Sequence, residues 1–201
     1  MGDSIPDVSI MRGILRDAIV EIETGVKKQY EPFLKLREVP QPLEKRIAIA
    51  KNPRIEDPQS PHLDTVCHGT SLFLFGILPY DMIIPTNGNN QELRAALARM
   101  IKSDYPSDNS IAVWFEDSSD LNTSEIIHSA FIEQVNPLEG HHREGTFGPF
   151  RSFNDLSTVE SYINRATRLA YKHVSKYYTL NPSDNLKDWA ERQVRRYQAL
   201  G

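Results

Sequence analysis

Cys67 is the single cysteine among 201 residues, and it opens the run Cys67-His68-Gly69-Thr70-Ser71-Leu72-Phe73-Leu74-Phe75. Its thiolate is the reactive form, and a free thiol has a pKa of about 8.5. A helix start lowers that value, because unpaired N–H groups and the helix dipole favour negative charge. With Asp64 or Thr65 as N-cap, Cys67 falls in the first helical turn, and its own N–H is placed to hold a developing oxyanion. His128 stands in Ile126-Ile127-His128-Ser129-Ala130-Phe131-Ile132, where alternation puts it on one face with Ile126, Ala130 and Ile132. A ring among apolar neighbours needs a polar partner. A third group must orient that imidazole, and Gly140-His141-His142-Arg143-Glu144-Gly145 offers two histidines. Alternation lets only one of His141 and His142 face the site, and His142 is the choice. The plain alternatives are a buried small residue at 67 and a core histidine at 128 bonded to a backbone carbonyl.

These groups need elements to carry them. The apolar spacing of Ile10, Ile14, Ala18, Ile19, Ile22 and Val26 predicts a helix over residues 8–28, and residues 43–51 form a second short one. Prolines 53, 58 and 61 mark a connector into the cysteine helix, which should stop near residues 76–79 ahead of Pro79. Leu93, Leu97 and Ile101 on one face predict a helix over 91–102. Strands follow at 111–115 and 126–135, joined by the polar loop 116–125, with a third short strand within 141–150. From Leu156 onward Val159, Ile163, Ala166 and Ala170 read as helical, with a last helix over 185–200. Helices, a cysteine helix, strands and more helices make an α+β chain.

Composition bounds the rest. Charged residues at 25% and hydrophobic ones at 39% suit a folded globular chain. A net charge of −4 argues against nucleic acid or an anionic membrane as a general partner. The start Met1-Gly2-Asp3-Ser4-Ile5-Pro6 has no apolar core for a secretory signal and no Ser or Thr at position 6 for myristoylation. One cysteine makes no internal disulfide. The expectation is a cytoplasmic protein, or one exported without a cleaved signal. Cys67, His68, His141 and His142 lack zinc-ligand spacing, and Asn87-Gly88-Asn89 lacks that of a phosphate loop, so no cofactor or metal is expected.

The run from Cys67, the strand Ile111-Ala112-Val113-Trp114-Phe115, the strand from His128 and His142-Arg143-Glu144-Gly145 together resemble papain-like thiol hydrolases of the NlpC type. The resemblance covers residues 64–150. It implies a helix-borne cysteine packed on a small antiparallel sheet, with added N- and C-terminal helices: 1–58 an N-terminal helical addition, 59–155 a catalytic core, and 156–201 C-terminal helices of a single domain. It implies Cys67 as nucleophile, His128 as general base and acid, and His142 as orienting residue, acting on a peptide or protein amide. Two departures stand out. Asp108-Asn109-Ser110 replaces a Gly-Asp pair before the first strand, and no tyrosine lies shortly upstream of Cys67, with Gln59 or His62 as loose substitutes. Cys67-His68-Gly69-Thr70-Ser71 is also similar to the His-Gly-Thr segment of ADP-ribosyltransferases, which would make His68 an NAD contact on a strand, with Tyr80 or Glu133 as partners. A third possibility is a catalytically silent interaction module using Trp189, Tyr197, Arg192, Arg195 and Arg196.

Overall fold

The computed structural model describes residues 41–52, 66–82, 84, 90–116, 124–145, 148–167, 173–184 and 186–199. The expected helix over 8–28, the N-cap candidates Asp64 and Thr65, and Gln59 and His62 lie outside these residues. Helix α1 is Leu43–Lys51. Helix α2 is Cys67–Phe75. Helix α3 is Gln91–Leu97. Helix α4 is Leu156–Thr167, and α5 is Lys187–Ala199. The strands are β1 Ile101–Ser103, β2 Ser110–Glu116, β3 Ile126–Val135, β4 Leu138–Arg143, β5 Phe150–Phe153 and β6 His173–Thr179. They form one six-stranded sheet in the order β1-β6-β2-β3-β4-β5, every pair antiparallel. The chain is α+β.

The sequence of α2 dictates a central position. Cys67 and Gly69 through Phe75 are all buried, so the helix has no solvent face of its own. It packs across β3. Val66, in extended conformation, is its N-cap and supplies no side-chain hydrogen bond. Cys67 is therefore the first helical residue, and its neighbouring N–H groups are left without a side-chain cap. The stop is set by Gly76 rather than Pro79. Gly76 takes φ of 92°, a left-handed conformation cheap only for glycine, and Ile77 N–H returns to Leu72 O at 3.0 Å. The Arg46 guanidinium of α1 donates to the carbonyls of Phe73 and Leu74, placing a cation at the negative end of α2.

Alternation along the strands divides the core between two faces. On one, Ile111, Val113, Phe115, Ile126, Phe131 and Tyr178 meet α2 together with Leu93, Leu97, Trp189 and Val194 of α3 and α5. On the other, Ala112, Trp114, Ala130, Ile132, Phe153 and Tyr177 meet Val159 and Ile163 of α4. Ile126 was expected on the second face. A register shift between Trp114 and Phe115 moves it to the first.

Two strands were read as helix. Ile101 continues the spacing of Leu93 and Leu97, yet α3 ends at Leu97 and Ile101 begins β1. The stretch from Leu156 is not helical throughout. Residues 173–179 form β6, which lies between β1 and β2, one strand in from the β1 edge of the sheet. The third strand expected within 141–150 is two strands, β4 and β5. No helix among the described residues is long and apolar enough to cross a membrane.

Gly140 sits where β3, β4 and β5 meet most tightly. A Cβ there would stand 2.7 Å from the Phe131 carbonyl oxygen and 2.3 Å from the Phe153 ring. Gly140→Ala should therefore cost about 2 kcal/mol or more. Chemical denaturation checks this, and a variant as stable as wild type would show that the sheet absorbs the methyl group.

Candidate functional site

Pairing between β3 and β4 runs from Val135–Leu138 to Phe131–His141 and goes no further. Past that point the backbone N–H of Ser129 lies close to the Cys67 sulfur, and it and the N–H groups of His68 and Cys67 favour negative charge there. The sulfur thus sits at the start of α2, where the two strands part. It is 6% exposed. Burial pushes its pKa up to about 11, while the three N–H groups pull the other way. Its side-chain partner is His68, with Nδ1 at 3.7 Å. His68 Nδ1 also meets Ser129 Oγ at 3.0 Å, and Ser129 Oγ meets Ser71 Oγ at 3.1 Å. Burial holds His68 down to about 4, so the ring is neutral at pH 7.

His128 and His142 come together across the parted strands, Nε2 to Nδ1 at 2.9 Å. Each is 2% exposed. One hydrogen lies between them, so one ring donates and the other accepts. Burial keeps His128 well below the usual histidine range, and the neighbouring His142 and His68 act in the same direction. Burial likewise lowers His142 to about 4, opposed by Glu144 and assisted by Arg151. Aromatic rings frame the pair. Trp114 lies 5.9 Å from His128 between ring centres, and Phe153 lies 5.8 Å from His142. Tyr162 of α4 touches both, at 5.4 Å from His128 and 5.6 Å from His142. Its phenol is raised by burial and then by the charges of Cys67 and Glu144.

A buried ion pair ties the two halves of this arrangement. Arg143, next to His142, donates from Nε to Thr70 Oγ1 at 3.0 Å and from Nη2 to Asp81 Oδ2 at 3.0 Å. Its remaining donors reach Ala50 O at 2.8 Å and Gly148 O at 3.1 Å. Thr70 Oγ1 donates in turn to Asp81 Oδ1 at 2.7 Å. Thr70 lies one turn beyond Cys67. Burial raises the Asp81 carboxyl, and Arg143 and Thr70 oppose that shift.

Of the three residues singled out from sequence, His128 and His142 are in direct contact. Cys67 lies against Ser129, the residue after His128, and makes no hydrogen bond to His128 or His142 among the described residues. His141 points elsewhere, to Glu133 Oε2 and Ser152 Oγ, each at 3.0 Å, with Phe150 stacked on its ring. His68 belongs to α2, not to a strand, so the NAD-contact reading loses its structural premise. Its suggested partner Glu133 is joined to His141 instead. Sequence reasoning missed Ser129, Tyr162 and the Thr70–Asp81–Arg143 group. The available signal was Thr70-Ser71 inside an apolar helix, since buried hydroxyls require partners. No protein-family model, curated protein or solved structure matches this chain.

Two outcomes follow from this geometry. Arg143→Met leaves Asp81 buried without its cation and should cost about 3–5 kcal/mol, with part restored in the double variant Asp81→Leu/Arg143→Met. Denaturation of the single and double variants checks this. Separately, His128 and His142 have folded pKa values below the unfolded 6.5, so the unfolded chain binds more protons as pH falls. Stability is full above pH 6.5 and is lost toward about pH 4, by up to about 1.4 kcal/mol per pH unit for each ring. Thermal unfolding between pH 7.5 and 4.5 reads this slope, and a flat profile would contradict neutral buried imidazoles.

Proposed function

We propose that this chain is a papain-like thiol hydrolase or acyltransferase acting on a peptide or protein amide. Cys67 is its nucleophile, His128 the general base and acid, and His142 the orienting group. One observation carries the reading. The sulfur at the first position of α2 lies close to the N–H of Ser129, immediately beside a histidine whose Nε2 is committed to a second histidine. The base role requires His128 to donate its Nε2 hydrogen to His142 Nδ1, which leaves a lone pair on His128 Nδ1.

A thiol with pKa about 11 is ionised in only about one molecule in ten thousand at pH 7. The resting site is therefore thiol and neutral imidazole, not an ion pair, and the proton must leave as the sulfur attacks. The sulfur bonds to the carbonyl carbon, the carbonyl π pair moves to oxygen, and the thiol proton passes to His128. Because Ser129 and His128 leave opposite faces of β3, this transfer is required to run past the end of the β3–β4 ladder. Collapse of the tetrahedral species breaks the C–N bond, and His128 returns the proton to the departing amine. Water or an acceptor amine, deprotonated by His128, then releases the acyl group from sulfur. The backbone N–H groups that serve the sulfur are also placed to receive the oxyanion.

Mass spectrometry after reaction with an activity-based thiol probe, followed by a lysate substrate screen, tests the reading. Cys67→Ala should abolish turnover, and His128→Ala should lower it by about 10²- to 10⁴-fold, both with the fold retained. Because burial keeps both imidazoles unprotonated, kcat/KM should hold through pH 6.5 and drop only as pH approaches about 4. A lysate processed identically by wild type and Cys67→Ala, with no probe on Cys67, would leave the silent interaction module in its place.

A further inference from the structure

The hydroxyl groups beside the sulfur fix a hydrogen that decides what His68 does. Ser71 Oγ donates to the Cys67 carbonyl oxygen at 2.8 Å, and a carbonyl oxygen only accepts. The Ser71 hydrogen is thereby committed, so the hydrogen in the 3.1 Å contact between Ser129 Oγ and Ser71 Oγ is that of Ser129. Ser129 Oγ is left with lone pairs facing His68 Nδ1 at 3.0 Å. That nitrogen must carry hydrogen. The same N–H lies 3.7 Å from the Cys67 sulfur, within reach of a bond shared between oxygen and sulfur.

We propose that His68 is a further catalytic residue, a neutral imidazole locked as an Nδ1–H donor that stabilises negative charge on the Cys67 sulfur. The inference rests on Cys67 being the nucleophile and adds a second, opposite histidine role. His68 Nδ1 has no lone pair to take the thiol proton, so that proton goes to the His128 side. As the proton leaves, sulfur gains charge and the His68 N–H bond to it strengthens. When sulfur attacks a carbonyl, that charge passes to the carbonyl oxygen. When the acyl group leaves, the donor eases expulsion of the thiolate. Besides His68, the sulfur is approached by the backbone N–H groups of Ser129, His68 and Cys67, while the Tyr162 phenol, which the Cys67 charge raises, packs on the neutral His128–His142 pair.

The single cysteine makes the test direct. Its ¹³Cβ shift, followed against pH, gives the thiol pKa without substrate, and imidazole ¹⁵N shifts give the tautomer. Wild type should show His68 protonated at Nδ1 and bare at Nε2 between pH 6 and 9. Ser71→Ala frees the Ser129 hydrogen to turn toward His68 and should switch the ring to the Nε2–H form. His68→Leu should raise the thiol pKa by about one unit, a tenfold loss of thiolate at fixed pH, while His68→Asn, whose amide replaces the donor, should stay within about 0.3 unit. An Nε2–H tautomer in wild type, or an unchanged thiol pKa in His68→Leu, overturns the donor. If the donor signature holds but Cys67→Ala still turns over substrate, its catalytic role falls together with the hydrolase reading. If Cys67→Ala is inactive and His68 is bare at Nδ1, only the donor falls.

Discussion

The Asp81–Arg143–Thr70 group is the constraint on which the site depends. A guanidinium this deeply buried is tolerable only with its donors filled. Here they are filled by a carboxylate, a hydroxyl and two carbonyls from α1, α2, the turn after α2 and the segment following β4. Arg143 directly follows His142, and Thr70 stands one turn past Cys67. Satisfying the cation therefore fixes the distance between the strand that carries His142 and the helix that carries Cys67. Hydrophobic packing of α2 on β3 would allow sliding by a side chain. The ion pair, with its directional bonds, does not.

Around that anchor the site is built from neutral groups. Burial weakens every charged form, leaving a thiol, three uncharged imidazoles and a phenol at neutral pH. In such a setting the positions of hydrogens do the work that fixed charges do in a wetter cleft. Two serines assign the hydrogen on His68, and a single hydrogen is shared in the strand-to-strand bond between His128 and His142. The parting of β3 from β4 makes room for both arrangements on opposite faces of one strand, since Ser129 looks toward α2 and His128 toward α4.

What the sequence revealed follows the strength of its local signals. β2 and β3 were legible because long apolar runs leave little alternative, and β3 matches its expected bounds. Alternation says that only one of His141 and His142 can face His128 without saying which, and the 2.9 Å contact is made by His142. β6 was invisible for the converse reason. His173, Ser175 and Lys176 interrupt its apolar residues, and it follows a helical pattern that ran on in register. Ile101 was drawn into a helix by spacing, although the sheet claims it. The bulge that turns Ile126 away from His128 has no one-dimensional signature. Neither has the meeting of His68 with Ser129, 61 positions apart.

The place of β6 has a consequence for how the polypeptide reaches its native state. Ribosomes deliver the chain from the amino end, and β1 and β2 emerge well before residues 173–179. Until those residues arrive, the facing borders of β1 and β2 stand open, each with an unpaired row of amides and carbonyls beside Ile111, Val113 and Phe115. The β2 border of the nascent protein thus stays open from residue 116 until residue 179 has been made. Closure comes late, when β6 pairs with β2 and β1 joins the sheet through β6, a topology that favours slow completion and early protection by whatever shields newborn chains.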